Sequence, residues 1–305
     1  MVTGGRGFIG RNVTRSLIQD GYAVRIFDAT APGPDDAGDV NVSHLTGSTG
    51  DRFDLKTAFK GVDFCVHLAG SAVYANPRIL PPSSSESIIE EAEILFESAA
   101  AGSVPVVYAS SAAIYGHVEE VPIRESVAPN PISAHGMEKL AFETVAARFA
   151  ATHGLASLGL RMFNIYGPGQ SLESPYCGVI RLFIENLSSQ QPCRMIGDGT
   201  QVRDFVHVSD VAENIKRIIA RPLRGADVVN VCSGRGVSIK EIVSIMETLS
   251  GRSLPVLNLP NSDGNVHYSV GDSAKGRETF GFRSDVSFED GLRDLMEIRQ
   301  RETVR

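Results

Sequence analysis

Apolar and polar positions along the chain repeat with two periods. Ala23 to Phe27, Asp63 to Leu68, Val104 to Ala109 and Leu158 to Phe163 are short runs dominated by apolar residues, and they predict strands. Ile9 to Gln19, Ser87 to Ala100 and Gly136 to Thr152 carry their apolar residues at helical spacing instead. Strands alternating with helices imply a parallel sheet joined by crossover helices. Only Met1-Val2-Thr3 precede the first glycines, so the first strand is expected to be clipped or the native start to lie upstream.

Two loops interrupt this rhythm where a doubly wound sheet keeps its ligand site, at the strand ends. Ala29 to Asp39 holds two prolines and several acids, and Asn76 to Ser85 holds Pro77, Pro81 and Pro82 ahead of a serine run. Ser83 with Glu86 three residues on has the form of a capping box, followed by the stripe Ile88, Ile89, Ala92, Leu95, Phe96 and Ala99. Such a stripe faces a core or a second subunit. Beyond Tyr166 the pattern shifts to the loops Gly167-Pro168-Gly169 and Gly197-Asp198-Gly199, then to helices expected to be capped at Ser238 and Ser287. The division expected is a nucleotide-binding domain over 1–166, with late elements near 202–232, and a mainly substrate-binding lobe over 167–305.

Composition narrows the classes. With 42% apolar residues and mean hydropathy near zero, the 305-residue chain reads as globular rather than disordered or fibrous. The net charge of −7, with Lys and Arg spread among acids, leaves no basic stripe for nucleic acid. No apolar run reaches the ~18 residues of a membrane span, and no leader pattern opens the chain, so a cytoplasmic location is expected. Cys65, Cys177, Cys193 and Cys232 are too scattered for a zinc knuckle or a disulfide framework, and no metal is expected.

Chemistry enters with Gly4-Gly5-Arg6-Gly7-Phe8-Ile9-Gly10. Glycines at 4, 7 and 10 permit a tight strand-to-helix turn, close approach of backbone to a pyrophosphate, and tight helix packing, while the helix N-terminus offers N–H groups to the anion. The following strand finishes at Asp28, whose carboxylate can accept ribose hydroxyls and repel a 2′-phosphate, which favours NAD over NADP. Arg6 is the residue that softens this preference. His67 reads as a core or strand-end residue, since no metal-spaced partners surround it.

Thr3-Gly4-Gly5-Arg6-Gly7-Phe8-Ile9-Gly10 resembles the extended short-chain dehydrogenase/reductase family, which includes nucleotide-sugar 4-epimerases. Further segments agree in order: His67-Leu68-Ala69-Gly70, Ser110-Ser111-Ala112-Ala113-Ile114-Tyr115-Gly116, Leu160 to Pro168, and Gly197 to Val208. The resemblance implies a Rossmann α/β fold with a smaller C-terminal substrate lobe, NAD as cofactor, and a cofactor contact from Leu68, Ala69 and Gly70. It also implies a homodimer packed through the helices from Ser87 and Gly136. In this family a Ser or Thr, a Tyr and a Lys act together; Ser111 and Lys139 fall on two of those positions, and His135 stands where the Tyr is expected.

Residues four apart share a helix face, so His135 and Lys139 keep the Tyr–Lys geometry. A neutral imidazole beside Lys139 and NAD+ can accept a proton at pH 7, which makes His135 a candidate base. Its shorter reach and the cost of an imidazolium among cations support the opposite reading, a degenerate site; Tyr74 or Tyr176 could then substitute. Other departures are Ser48 where an acid often contacts adenine, Ile88 where an Asn is usual, and Ser262 where a phosphate-binding Arg is expected.

Related dehydratases carry Asp-Glu after the catalytic hydroxyl, and related decarboxylases a Glu at the second position. Ala112 and Ala113 occupy those places here. A 4-epimerase needs no such carboxylate. By the same resemblance Asn164 and Arg203 contact the nucleotide diphosphate, Arg203 as a bidentate donor. Three readings follow: an NAD-dependent epimerase of a nucleotide sugar, a UDP-sugar first, using Ser111, His135 and Lys139; a nucleotide-sugar oxidoreductase; and an NAD-binding protein without turnover. Missing carboxylates favour the first.

Overall fold

The computed structural model describes residues 1–33, 40–70, 85–172, 174, 177–260 and 266–303, without the side chains of 85–88 and 303. Tyr74, Tyr176, Ser83 and Ser262 lie outside the described residues, as do the side chains of Glu86 and Ile88. In chain order the first half holds β1 (Val2–Thr3), α1 (Phe8–Gln19), β2 (Val24–Asp28), β3 (Val42–Thr46), α2 (Arg52–Ala58), β4 (Cys65–His67), α3 (Ser85–Ala101) and β5 (Val106–Ser111). Next come α4 (Ala134–His153), β6 (Ser157–Met162), β7 (Asn164–Tyr166), α5 (Val179–Ser189), β8 (Cys193–Ile196) and β9 (Val202–His207). The chain continues through α6 (Val208–Ile219), β10 (Ala226–Val231), β11 (Gly236–Ser238), α7 (Ile239–Ser250), β12 (Val256–Leu259), β13 (Tyr268–Ser269), α8 (Ala274–Phe280) and α9 (Phe288–Thr303).

Seven strands form one parallel sheet in the order β10-β6-β5-β4-β1-β2-β3. β1 pairs with β2 on one side and β4 on the other, so the strand order reverses there and opens a crevice beyond the strand ends. The expected doubly wound α/β fold is thus present. One face is covered by α1 and α6, where Val13, Leu17, Val211 and Ile215 pack over Val66, Leu158 and Val229. On the other face α2, α3 and α4 bring Leu55, Leu95, Phe96, Val145 and Phe149 onto Val106 and Tyr108. Burial at Ala92, Leu95, Phe96 and Ala99 assigns that much of the α3 stripe to the core, while Ile89 stays exposed.

The late elements divide between sheets. β10 joins the main sheet beside β6, whereas β9 lies in a smaller sheet with β7, β11 and β13. A separate cluster, including Ile180, Phe183, Ile242, Met246 and Leu292, fills the space among α5, α7 and α9. Ser238 and Glu241 complete a capping box at α7, and at Ser287 the hydroxyl accepts from the Asp290 N–H at 3.1 Å, as the acid three residues on predicts.

β3 and α2 were not resolved by periodicity. β3 reads Val-Ser-His-Leu-Thr on a sheet edge with no residue fully buried, so its apolar signal is weak. α2 is a two-turn helix whose signal is local: the Asp51 carboxylate accepts from the N–H groups of Phe53 (2.8 Å) and Asp54 (2.9 Å). Among the described residues no helix is long and apolar enough to cross a membrane, and no group of three His, Cys, Asp or Glu could hold a metal ion. All four cysteines are free.

Candidate active site

A cleft of about 530 Å³ lies at the C-terminal ends of β1, β4, β5 and β6. Gly4, Gly7, Phe8, Ile9 and Gly10 line it from the first turn, Leu68 and Gly70 from the end of β4, Ser111 from β5, His135 and Lys139 from α4, and Asn164 from β7. Residues spread over 160 positions of sequence converge because every parallel strand delivers its C-terminal end to the same edge.

At Gly4 and Gly10 the glycine turn has no room for a side chain. A Cβ at Gly10 would sit 2.1 Å from the Gly4 carbonyl oxygen and 2.7 Å from Gly5 Cα; one at Gly4, whose φ is +63°, would sit 2.6 Å from the Ala69 nitrogen. Ala69 therefore supports the turn from behind, and its N–H donates to Thr3 Oγ1 at 3.3 Å. Asp28 does not line the cleft itself. Its carboxylate accepts from the N–H groups of Arg6 (2.9 Å) and Thr30 (3.0 Å), tying the end of β2 to the glycine turn. The buried Arg6 guanidinium donates to the Thr30 carbonyl at 3.0 Å and lies 2.8 Å from His44 Nδ1.

Opposite this cradle, Ser111 ends β5 and caps the short 3-10 turn over Ala112 to Tyr115, its Oγ accepting from the Ala113 N–H at 3.1 Å. Ser133 caps α4 in the same manner, accepting from Gly136 N–H at 3.1 Å. Gly136 lets the helix start approach the turn, since a Cβ there would meet the Ala113 carbonyl oxygen at 2.5 Å. These contacts fix His135 and Lys139 against the Ser111 turn.

A buried ion pair underlies that turn. Arg161 on β6 donates to both carboxylate oxygens of Glu143 on α4, at 3.0 and 2.7 Å, and to Tyr115 Oη at 3.0 Å. Ser110 donates to Glu143 at 2.6 Å, and Tyr115 to Asn230 at 2.7 Å. Burial foremost, against the opposing pull of Arg161, pushes the Tyr115 phenol up to about 12.

Lys139 is buried, with Nζ 2.9 Å from Glu138 Oε1 and 5.5 Å from the Phe142 ring centroid. Glu138, 3% exposed, turns its other oxygen, Oε2, to His135 Nδ1 at 3.7 Å. Burial alone would raise the Glu138 carboxyl, but His135 and Lys139 together hold it below its ordinary range. Sequence reasoning missed this residue. The available signal was an acid three residues after His135 and directly before Lys139, a spacing that shares a helix face with the histidine.

His67 behaves as a core residue. Its Nδ1 pairs with Thr3 Oγ1 at 2.8 Å, its ring stacks on Phe142 at 5.5 Å, and burial first, then Lys139, lowers it to about 3. Among the described residues Tyr166 is the only tyrosine lining the cleft. Its hydroxyl turns to the Ser287 and Phe288 carbonyls, and burial together with nearby acids raises it above the ordinary phenol range. It is poorly placed to serve as a phenolate.

Arg203 stands apart from the cleft lining. On β9 it lies two residues, hence one same-face step, from the lining residue Phe205, and donates to the Val202 and His267 carbonyls at 2.9 and 3.5 Å. Burial lowers its guanidinium below the ordinary value.

A model of the NAD dependent epimerase/dehydratase family matches residues 1–232. The chain belongs to this family. Its relatives include the UDP-glucose 4-epimerase of Azospirillum brasilense, 29% identical over 299 residues, 92% of this chain and 86% of that protein. The solved UDP-glucose 4-epimerase of Thermotoga maritima with UDP-glucose superposes at a TM-score of 0.90 and 29% identity, over 100% of this chain and 99% of that one. A dTDP-glucose 4,6-dehydratase from Streptomyces venezuelae with NAD bound reaches 0.89 at 26% identity, over 99% and 97%. Epimerase and dehydratase thus share this family fold to nearly equal degree. The choice of reaction falls to the side chains in the cleft.

Proposed function

We propose that this chain binds NAD and interconverts the C4 epimers of a UDP-sugar, with His135 moving the proton at the sugar 4-hydroxyl. The observation that carries the reading is a single cleft that joins a glycine cradle to Ser111, His135 and Lys139 while placing alanine at 112 and 113. The cradle fits a dinucleotide: a Cβ is excluded at Gly4 and Gly10, and the N-terminus of α1 is left to face a pyrophosphate. Asp28, fixed at the end of β2, is offered to the adenosine ribose.

NAD, when bound, supplies a hydride acceptor that can return what it takes. The chain supplies the rest. Ser111 orients the 4-hydroxyl, and His135 takes its proton as C4 is oxidised, then returns that proton when the turned 4-keto sugar is reduced on its other face. Lys139 holds the nicotinamide ribose. Asn164 reaches the nucleotide diphosphate from the cleft wall, and Arg203, just beyond Phe205, extends the anion site. Water elimination would need an acid and a base in addition, and Ala112 and Ala113 provide neither.

Incubation of the purified protein with UDP-glucose, UDP-N-acetylglucosamine and UDP-glucuronic acid, followed by NMR of the C4 isomers without added cofactor, tests this reading. Interconversion is expected with at least one sugar, with a loss of about 10²- to 10⁴-fold in His135→Ala. Stoichiometric accumulation of NADH would point to an oxidoreductase instead, and silence of the wild type toward the whole panel would sink the epimerase.

A further inference from the structure

Exchange of a phenol for an imidazole inverts the charge logic of a proton-transfer site. A tyrosinate base is an anion that becomes neutral on taking a proton, so a neighbouring lysine stabilises its working form. An imidazole base is neutral and becomes a cation, so the same lysine opposes it. His135 beside Lys139 alone would step from a net charge of one to a net charge of two. Glu138, in contact with both, removes one unit at each stage. Zero before proton uptake and one after are the values a Tyr–Lys pair has.

We propose that Glu138 is the positioning residue that makes His135 a competent base, holding its Nδ1 and stabilising the imidazolium formed when Nε2 takes the substrate proton. This rests on the epimerase reading for its role in turnover, but the pairing itself does not. Glu138 does not line the cleft and is 3% exposed, so it reaches substrate only through His135. At 3.7 Å the two atoms stand just beyond hydrogen-bond distance, and catalytic contacts of this kind commonly tighten when a site fills. Donation of Nδ1–H to the carboxylate leaves the lone pair on Nε2, the nitrogen needed for the substrate. During the step the 4-hydroxyl O–H bond breaks, its proton forms a bond to Nε2, and Glu138 stays ionised.

Lys139 is already joined to Glu138, His67 lies behind Lys139 on β4 and is neutral at working pH, and the turn over Ala112 to Tyr115 brings no charge. Across the cleft, the Tyr166 hydroxyl is engaged with α9.

Nitrogen-15 NMR of the NAD-loaded wild type is expected to show His135 as the Nδ1–H tautomer when neutral; an Nε2–H tautomer overturns the pairing without any variant. In Glu138→Gln the His135 titration midpoint is expected to fall by about one pH unit or more. If activity is found, the acid limb of kcat should move down with it. The deciding comparison is the sign of Glu138→Gln in two backgrounds. With His135 it should lower kcat by about tenfold or more, and in His135→Tyr it should raise kcat, because a carboxylate opposes a phenolate. A purely structural Glu138 would lower activity in both, and an unmoved midpoint would overturn the proposal. Should the wild type convert no UDP-sugar while tautomer and midpoint behave as stated, the epimerase reading fails and the pairing stands.

Discussion

At the end of the cleft built from Gly4, Gly7 and Gly10 the site depends on what side chains leave out, whereas at the end built from His135, Glu138 and Lys139 it depends on what they bring. A Cβ at Gly4 or Gly10 meets backbone at 2.1 to 2.9 Å, and backbone cannot be exchanged for something smaller. No substitution elsewhere can compensate. Charges are different, because the charge on one group can be offset by a neighbour, which is the part proposed for Glu138 beside His135. Steric constraints therefore preserve a motif in recognisable form, and electrostatic constraints preserve only a sum.

The frame beneath the His135 end offers the largest test of this contrast. Arg161→Met leaves the Glu143 carboxylate buried with Ser110 as its one remaining hydrogen-bond donor among the described residues, and loss of one partner of a buried pair typically costs about 3–5 kcal/mol. Urea unfolding should register that loss, and the double replacement Arg161→Met with Glu143→Leu should recover part of it. A double variant no better than the single one would show that charge here is not a sum. At the other end Gly10→Ala is expected to lower stability by about 1–3 kcal/mol and to reduce NAD affinity at least tenfold. No second substitution in the turn should restore binding, and a variant that keeps full NAD affinity by calorimetry would remove the steric half of the contrast.

The same difference governs what the sequence discloses. The glycine turn, the strands and helices over residues 8–28 and 104–163, and the caps at Ser238 and Ser287 are local or periodic, and each is legible without coordinates. β3 escapes because an edge strand with alternating polar residues gives little signal, and α2 because two turns are too few for periodicity. His135 could be placed beside Lys139 from spacing alone. Glu138 could not be weighed, because surface acids on helices are common and only burial separates this one from them. The motif marks Arg203 as a candidate diphosphate contact, and its place on β9, one step beyond the cleft lining, is a distance no one-dimensional pattern carries.

His67 stands on the seam between the two ends and allows the smallest test. Its Nδ1 is held by Thr3, just ahead of the glycine turn, and its ring stacks on Phe142, one helical turn beyond Lys139. Burial, with Lys139 adding to it, lowers it from 6.5 to about 3. Between those values the unfolded chain binds a proton that the folded chain refuses, so stability rises with pH across the window. The contribution is complete above about 6.5 and is lost as pH falls toward 3, at up to about 1.4 kcal/mol per unit. Between pH 7 and pH 5 His67 should therefore account for about 2 kcal/mol of lost stability. His67→Gln, which does not titrate, should unfold in urea with a correspondingly smaller difference between the two pH values. An equal difference in variant and wild type would place the acid sensitivity elsewhere and leave the two ends of the cleft without this electrostatic link.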